Sequence, residues 1–331
     1  MKNTRSWRRA AAVLLAAVVV LATMSARRAP RVTYGELRTG TYTYTGGVTD
    51  GRQNGFGICR YRNGNVYAGN WDMSYKHGIG RMEFADGTMQ FGRWERGIFK
   101  EQRGSRFEAG EVVMGIDISR YQENIDWDDL YLKADAAGKS KGNGRYMQPV
   151  LFVFVKSTQG NSRLNPQFDR QFREAKKHGI VRGAYHYITE NATGRQQAEY
   201  FIRHTPLEAG DLPPVLDLEI RREVMRRDHT RIMAIVREWL DVVEEHYGCK
   251  PIIYTYDYFY RDYLHGHGYD DYDFWIANYR QRPRFRHCEF WQFTDGGRAA
   301  GIAHDVDINL FLGGDYGDFR NYVRRNGIPN R

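Results

Sequence analysis

From Val112 onward, short apolar runs alternate with stretches whose apolar residues recur every three or four positions. The runs Val112–Ile118, Val150–Lys156, Val181–Ile188, Val215–Ile220, Pro251–Tyr256, Phe274–Asn278, Glu289–Thr294 and Asp305–Phe311 have the length and composition of strands. Near-continuous apolar runs are what strands covered on both faces require. The helical stretches between them have readable limits. Asn165-Pro166 opens one helix with Pro at its first position; Phe168, Phe172 and Ala175 form its inward stripe, and Gly179 ends it. A second starts near Thr193 and buries Ala198, Phe201 and Ile202. A third runs from Asp228 to about Tyr247, with Ile232, Val236, Trp239 and Val243 inward. Only ten residues separate Asn278 from Glu289, and again Thr294 from Asp305, too few for a helical crossover. The pattern predicts an α/β fold. It is an irregular TIM-like barrel over 112–315, five β/α units and then three strands joined by bare loops or hairpins, with a C-terminal tail over 316–331.

Residues 40–99 follow a different rule. Gly46, Gly69 and Gly92 are spaced by 23, as are Val48, Trp71 and Trp94, and the pairs Gly55/Gly78, Gly57/Gly80 and Gly64/Gly87. Each copy holds two aromatic, alternating segments joined by a Gly-containing turn, which is the signature of a hairpin. Units that do not bury their own face stack on their neighbours, so this small all-β module is expected to lean on the barrel. Its Y-x-G-x-W…HGxG pattern resembles MORN repeats, about two and a half copies. A spacer is the first role for such a module, and contact with lipid or cell wall through its aromatic and Arg residues the second. Ahead of it, basic residues up to Arg9 precede an apolar run from Ala10 to Ala22 and small residues at Ser25-Ala26. Residues 1–26 have the layout of a signal peptide or an uncleaved signal anchor. Either implies export: secreted, periplasmic or anchored to the envelope.

The formal charge of +9 changes this picture little. It favours anionic partners, but no zinc-finger or RNA-binding aromatic signature accompanies it, so nucleic acid is not expected. Three cysteines, Cys59, Cys249 and Cys288, exclude a disulfide scaffold and lack the paired spacing of a zinc site. Cys249 and Cys288 either pair or remain buried thiols.

The chemistry concentrates in Pro213–Ile220, where Asp217 and Glu219 interrupt an apolar strand at i and i+2. Alternation points both to one side, and two acids crowded in an apolar site hold at least one proton above the usual range. Asp117 and Asp307 lie in two other predicted strands. Barrel enzymes carry their reacting groups at the C-terminal strand ends. Aromatic and polar groups accompany the acids: Tyr185, His186, Tyr254, Trp275, Tyr279, Trp291 and Gln292. Aromatic walls suit sugar rings, and carboxylates suit hydroxyls and a developing oxocarbenium charge. Equally, Trp275 and Trp291 fit a core, and His186 a hydrogen-bonded core histidine. A metal-dependent hydrolase using Asp117, His186, Asp217 and His304 is a rival, but no H-x-x-x-H or H-E-x-x-H spacing supports it. A non-catalytic scaffold that binds envelope glycan through the groove and the repeats is another.

The motifs GIDISRYQ-x-x-IDW, FVFVKSTQG, GAYHY, LPPVLDLE, PIIYT, WIANY, WQFTD and VDIN occur in this order over about 112–315. Together they resemble glycoside hydrolase family 25, the Chalaropsis-type lysozymes. The resemblance implies an N-acetylmuramidase that cuts the β-1,4 bond between N-acetylmuramic acid and N-acetylglucosamine in peptidoglycan. It implies Asp117, Asp217, Glu219 and Asp307 as the catalytic acids, with Glu219 as proton donor, and Tyr185 and Tyr254 lining the groove. No metal or organic cofactor is implied. Two departures bear on substrate fit: Thr158-Gln159-Gly160 stands where many relatives have Thr-Glu-Gly, and Gly138–Gln148 is long and polar.

Overall fold

The computed structural model describes residues 31–100, 111–134, 144 and 146–330. The expected leader over 1–26 and most of Gly138–Gln148 lie outside the described residues. Residues 33–100 form one antiparallel meander of seven strands. They are β1 (Thr33–Arg38), β2 (Tyr42–Thr49), β3 (Arg52–Tyr61), β4 (Val66–Asp72), β5 (Tyr75–Glu83), β6 (Met89–Glu95) and β7 (Ile98–Lys100). The 23-residue period is one hairpin. Its glycines face one another across each boundary from β2 to β6, as the pairs Gly46–Gly57, Gly57–Gly69, Gly69–Gly80 and Gly80–Gly92.

The ladder exists because aromatic rings lie on it. A Cβ on Gly57 would stand 2.3 Å from the Tyr44 hydroxyl, and one on Gly80 2.2 Å from that of Tyr67. The same two tyrosines donate to Gly47 O (2.7 Å) and Asn70 O (3.1 Å). Trp71 Nε1 donates to Gly57 O at 3.3 Å and Trp94 Nε1 to Gly80 O at 3.1 Å, each ring edge-on to a tyrosine. Recurring Gly, Tyr and Trp are thus one packing unit. Gly80→Ala is expected to cost about 1–3 kcal/mol by overpacking, read as a lower midpoint in thermal or urea unfolding. Gly40→Ala, whose added carbon meets nothing within 4 Å, should leave that midpoint in place.

The remaining chain closes into a barrel of eight strands: β8 (Met114–Ile118), β11 (Phe152–Gln159), β13 (Val181–Tyr187), β14 (Val215–Asp217), β15 (Ile252–Tyr256), β16 (Phe274–Ala277), β17 (Cys288–Gly297) and β19 (Val306–Phe311). These are the eight runs read from the sequence. β8 pairs with β11 to shut the cylinder, and the two-residue β12 (Arg163–Leu164) runs antiparallel to the end of β11. All neighbours among the eight are parallel except β19, which runs antiparallel to both β17 and β8. The short return from β17 leaves no room for a crossover, so it turns back as a hairpin.

Helices Phe168–Lys177, Gly194–His204 and Arg222–Tyr247 follow β11, β13 and β14. The second begins with a full capping box at Thr193 and Gln196. The third starts six residues before the expected Asp228, which instead marks a kink (φ −128°, ψ 27°). A short helical segment, Asp257–Leu264, follows β15. Among the described residues, the first of the five expected units carries no long helix. Its place is taken by a small sheet of β9 (Tyr131–Ala134), β10 (Tyr146–Pro149) and β18 (Ala299–Ala300). Tyr131 packs there against Ile79 and Phe91 of the meander, so this flank is used for docking.

Further bonds pin the two sheets together. Asn70 Nδ2 donates to Asp128 O (2.7 Å), Arg81 donates to Gly179 O (3.1 Å), and Phe56 lies 4.2 Å from the His178 ring. The stretch expected as a tail is instead a helix, Tyr316–Asn326, which plugs the barrel end where β11 begins. Its Phe319 and Tyr322 pack with Phe152, Phe290 and Phe311. Cys59 and Cys288 are buried free thiols, so Cys288 makes no bridge to Cys249. Among the described residues no helix is long and apolar enough to cross a membrane.

Candidate active site

Strand alternation aims every second side chain of the barrel inward. At the end away from the helical plug, those positions are largely polar. Asp117 of β8 and Asp307 of β19 stand directly opposite each other in register. One Asp117 oxygen, Oδ2, accepts from Gln292 Nε2 and from Asn309 Nδ2, both at 2.9 Å. Each amide is held by aromatic donors. Tyr254 and Tyr279 hydroxyls both donate to Gln292 Oε1 at 2.9 Å, and Trp275 Nε1 donates to Asn309 Oδ1 at 2.8 Å. With its oxygen so occupied, Gln292 turns its amino group toward the acids, 2.9 Å from Asp117 and 3.4 Å from Asp307.

Burial pushes the Asp117 carboxyl up, opposed by the two amide donors. Asp307 is pushed up to about 10, by burial first and then by the charge of Asp117. A proton therefore remains on this pair at neutral pH, carried by Asp307 and donated toward Asp117.

The second pair sits three strands further round the rim, past β11 and β13. Asp217 closes β14 and is buried, whereas Glu219, two residues on, is half-buried at the opening. β14 itself stops at Asp217 and not at the expected Ile220. Burial pushes Asp217 well above the ordinary carboxylate range, and the neighbouring Glu219 adds to the push. Asp217 Oδ1 is buried without a protein hydrogen-bond partner. The Tyr256 hydroxyl hydrogen-bonds Glu219. Tyr185 ties the two pairs together: the charges of Asp117, Asp217, Asp307 and Glu219 all add to burial in holding its phenol proton. Tyr254 feels Glu219, Asp217 and Asp117 in the same way. Two neutral phenol donors thus stand among four acids.

The other residues expected here divide. Tyr279 is 44% exposed at the rim, positioned to meet a ligand. Trp275 is 2% exposed, stacked 4.4 Å from Phe154 beneath Tyr254, so it is floor rather than wall. His186 and Trp291 face away from the groove, because their neighbours Tyr185, Gln292 and Phe290 face in. The His186 ring bonds Thr158 Oγ1 (2.8 Å) and stacks on Trp239 in the helix layer, and burial pushes it down to about 3. Trp291 donates to Asn278 O at 2.7 Å among the outer core residues. With His186 on the opposite face of the sheet from Asp217, the rival metal-ligand set is split.

Asn309, Lys156, Tyr187 and Tyr256 belong to the groove and were not anticipated. Each stands two residues from an inward neighbour, and that spacing was the signal available. A cleft of about 810 Å³ between the Gly194–His204 and Arg222–Tyr247 helices contains none of these acids, so clustering of acids locates the site and volume does not.

A family model described as glycosyl hydrolases family 25 matches residues 116–302. The Escherichia coli protein YegX is 36% identical over 211 residues, which is 63% of this chain and 72% of that protein. Lysozyme M1 of Streptomyces globisporus is 29% identical over 217 residues, 61% of this chain and 68% of its own length. A solved family 25 glycosyl hydrolase from Bacillus anthracis superposes with a TM-score of 0.52 at 27% identity, covering 66% of this chain and 99% of that one.

Proposed function

This chain belongs to glycosyl hydrolase family 25, and from that membership we propose that it is a lysozyme cutting the β-1,4 bond between N-acetylmuramic acid and N-acetylglucosamine in peptidoglycan. The observation that carries the reading is the meeting of two acid pairs at one barrel rim, where burial pushes Asp217 and Asp307 above the ordinary carboxylate range.

Glu219 is the proton donor. Asp217, pushed up by burial and by the neighbouring Glu219, keeps a proton within the pair, and Glu219, at the open end, is the member a glycosidic oxygen reaches. When that proton leaves with the aglycone oxygen, the pair becomes doubly negative as positive charge grows on the sugar ring. Asp217 then stabilises the oxocarbenium-like transition state. Asp117 and Asp307, locked by Gln292 and Asn309, form the opposite wall with Tyr185 and Tyr254. Tyr279 offers a ring at the rim for a sugar face.

The substrate class sets the place of action outside the cytoplasm, consistent with a leader over residues 1–26. The meander serves as a MORN-type docking spacer fixed to the barrel flank, and its basic and aromatic residues suit wall or membrane surface. Digestion of purified peptidoglycan, with the new reducing end identified by mass spectrometry, tests the activity. A muramic acid end is expected; a glucosamine end, or no new end, overturns it.

A further inference from the structure

Lys156 places a cation inside the acid groove. It lies in β11, half-buried, with its ammonium 4.6 Å from the Tyr187 ring centre and 6.0 Å from that of Tyr185. Its hydrogen bond goes to a neutral acceptor, Gln159 Oε1 at 3.1 Å, and it joins no salt bridge. The groups acting on it come from each surrounding element: Tyr185 and Tyr187 of β13, Asp217 and Glu219 at the end of β14, and Arg120 and Tyr121 after β8.

We propose that Lys156, left uncompensated by the neutral Gln159, is a positioning residue whose charge sets the pH range over which the Asp217–Glu219 pair holds a single proton. The inference rests on reading that pair as the proton donor of glycan cleavage. A fixed positive charge near two acids favours their ionised forms, so it draws both of the pair's proton losses to lower pH. Consistent with this, Lys156 opposes the upward push that burial and Glu219 exert on Asp217, while Asp217 and Glu219 favour the charged form of Lys156 against its own burial. A carboxylate at position 159 would pair with the ammonium and weaken its field at the acids. Gln159 holds the lysine in place without doing so.

The test uses the full chain in two measurements: the pH profile of kcat/KM on purified peptidoglycan, and the titration of ¹³C-labelled Asp and Glu carboxyls. Lys156→Met is expected to move both limbs of the profile, and the pair's carboxyl titration, up by about one pH unit, the size of a single charge acting across a partly screened site. Gln159→Glu should move them the same way by less, and supplies the reading if Lys156→Met fails to fold. Lys156→Arg, which keeps the charge, should stay near the parent. Unmoved titrations in Lys156→Met and Gln159→Glu overturn the proposal, as does an arginine variant displaced as far as the methionine one. The carboxyl titration needs no substrate. A shifted titration in a protein that releases no muramic acid ends therefore supports the inference and refutes the cleavage reading. Normal cleavage with unmoved titrations refutes the inference alone.

Discussion

Glu219→Gln is expected to lower kcat on peptidoglycan by about 10²–10⁴-fold while leaving the thermal midpoint close to that of the parent. The amide has the shape of the acid and keeps an oxygen for the Tyr256 hydroxyl, but it has no proton of suitable acidity to give the leaving oxygen. Because Glu219 is half-buried at the groove mouth, the substitution opens no cavity. Release of new reducing ends, followed beside a thermal melt, separates the two quantities. Near-normal turnover in a folded variant would remove Glu219 from the donor role.

A pH-dependent gain in stability is expected from Asp307→Asn. Burial and the charge of Asp117 push Asp307 up to about 10 in the folded chain, from an ordinary value of 3.8. The folded state thus binds its proton more tightly than the unfolded state does. The resulting stabilisation is fully present below about pH 4 and is lost as pH rises toward 10. Asparagine keeps the neutral, donating form at every pH and escapes that loss. Relative to the parent, its unfolding free energy should therefore grow by several kcal/mol between pH 5 and pH 9, at about 1.4 kcal/mol per unit of retained shift. Urea unfolding at the two pH values measures it. A constant difference would mean that Asp307 is ionised in the folded chain.

Several of these features were legible as letters. All eight barrel strands announce themselves as apolar runs, and the two ten-residue gaps foretell the missing helices at the end. Asp117, Asp217 and Asp307 are each flanked by residues that must face outward, so alternation alone turns them inward. The same rule, applied strictly, would have set His186 and Trp291 aside, since Tyr185 and Gln292 on the same strands point in. Two departures have another origin. Among the described residues after β8 a small sheet stands in place of a long helix, because Tyr131 must meet Ile79 and Phe91 of the meander, a contact between distant parts of the sequence. Tyr316–Asn326 packs within the core because its Phe319 and Tyr322 complete a layer with Phe152, Phe290 and Phe311, residues that no local pattern links to it.

The glycine ladder gives the meander an adjustable length. Each hairpin offers the next the same row of bare backbone and the same tyrosine and tryptophan, so a whole 23-residue copy could be spliced in or taken out without shifting the register at either side. Every such step would lengthen or shorten the arm by two strand widths, about 10 Å. The barrel would keep its anchorage at Asn70 and Arg81 while the free edge moved nearer to, or further from, whatever surface it meets.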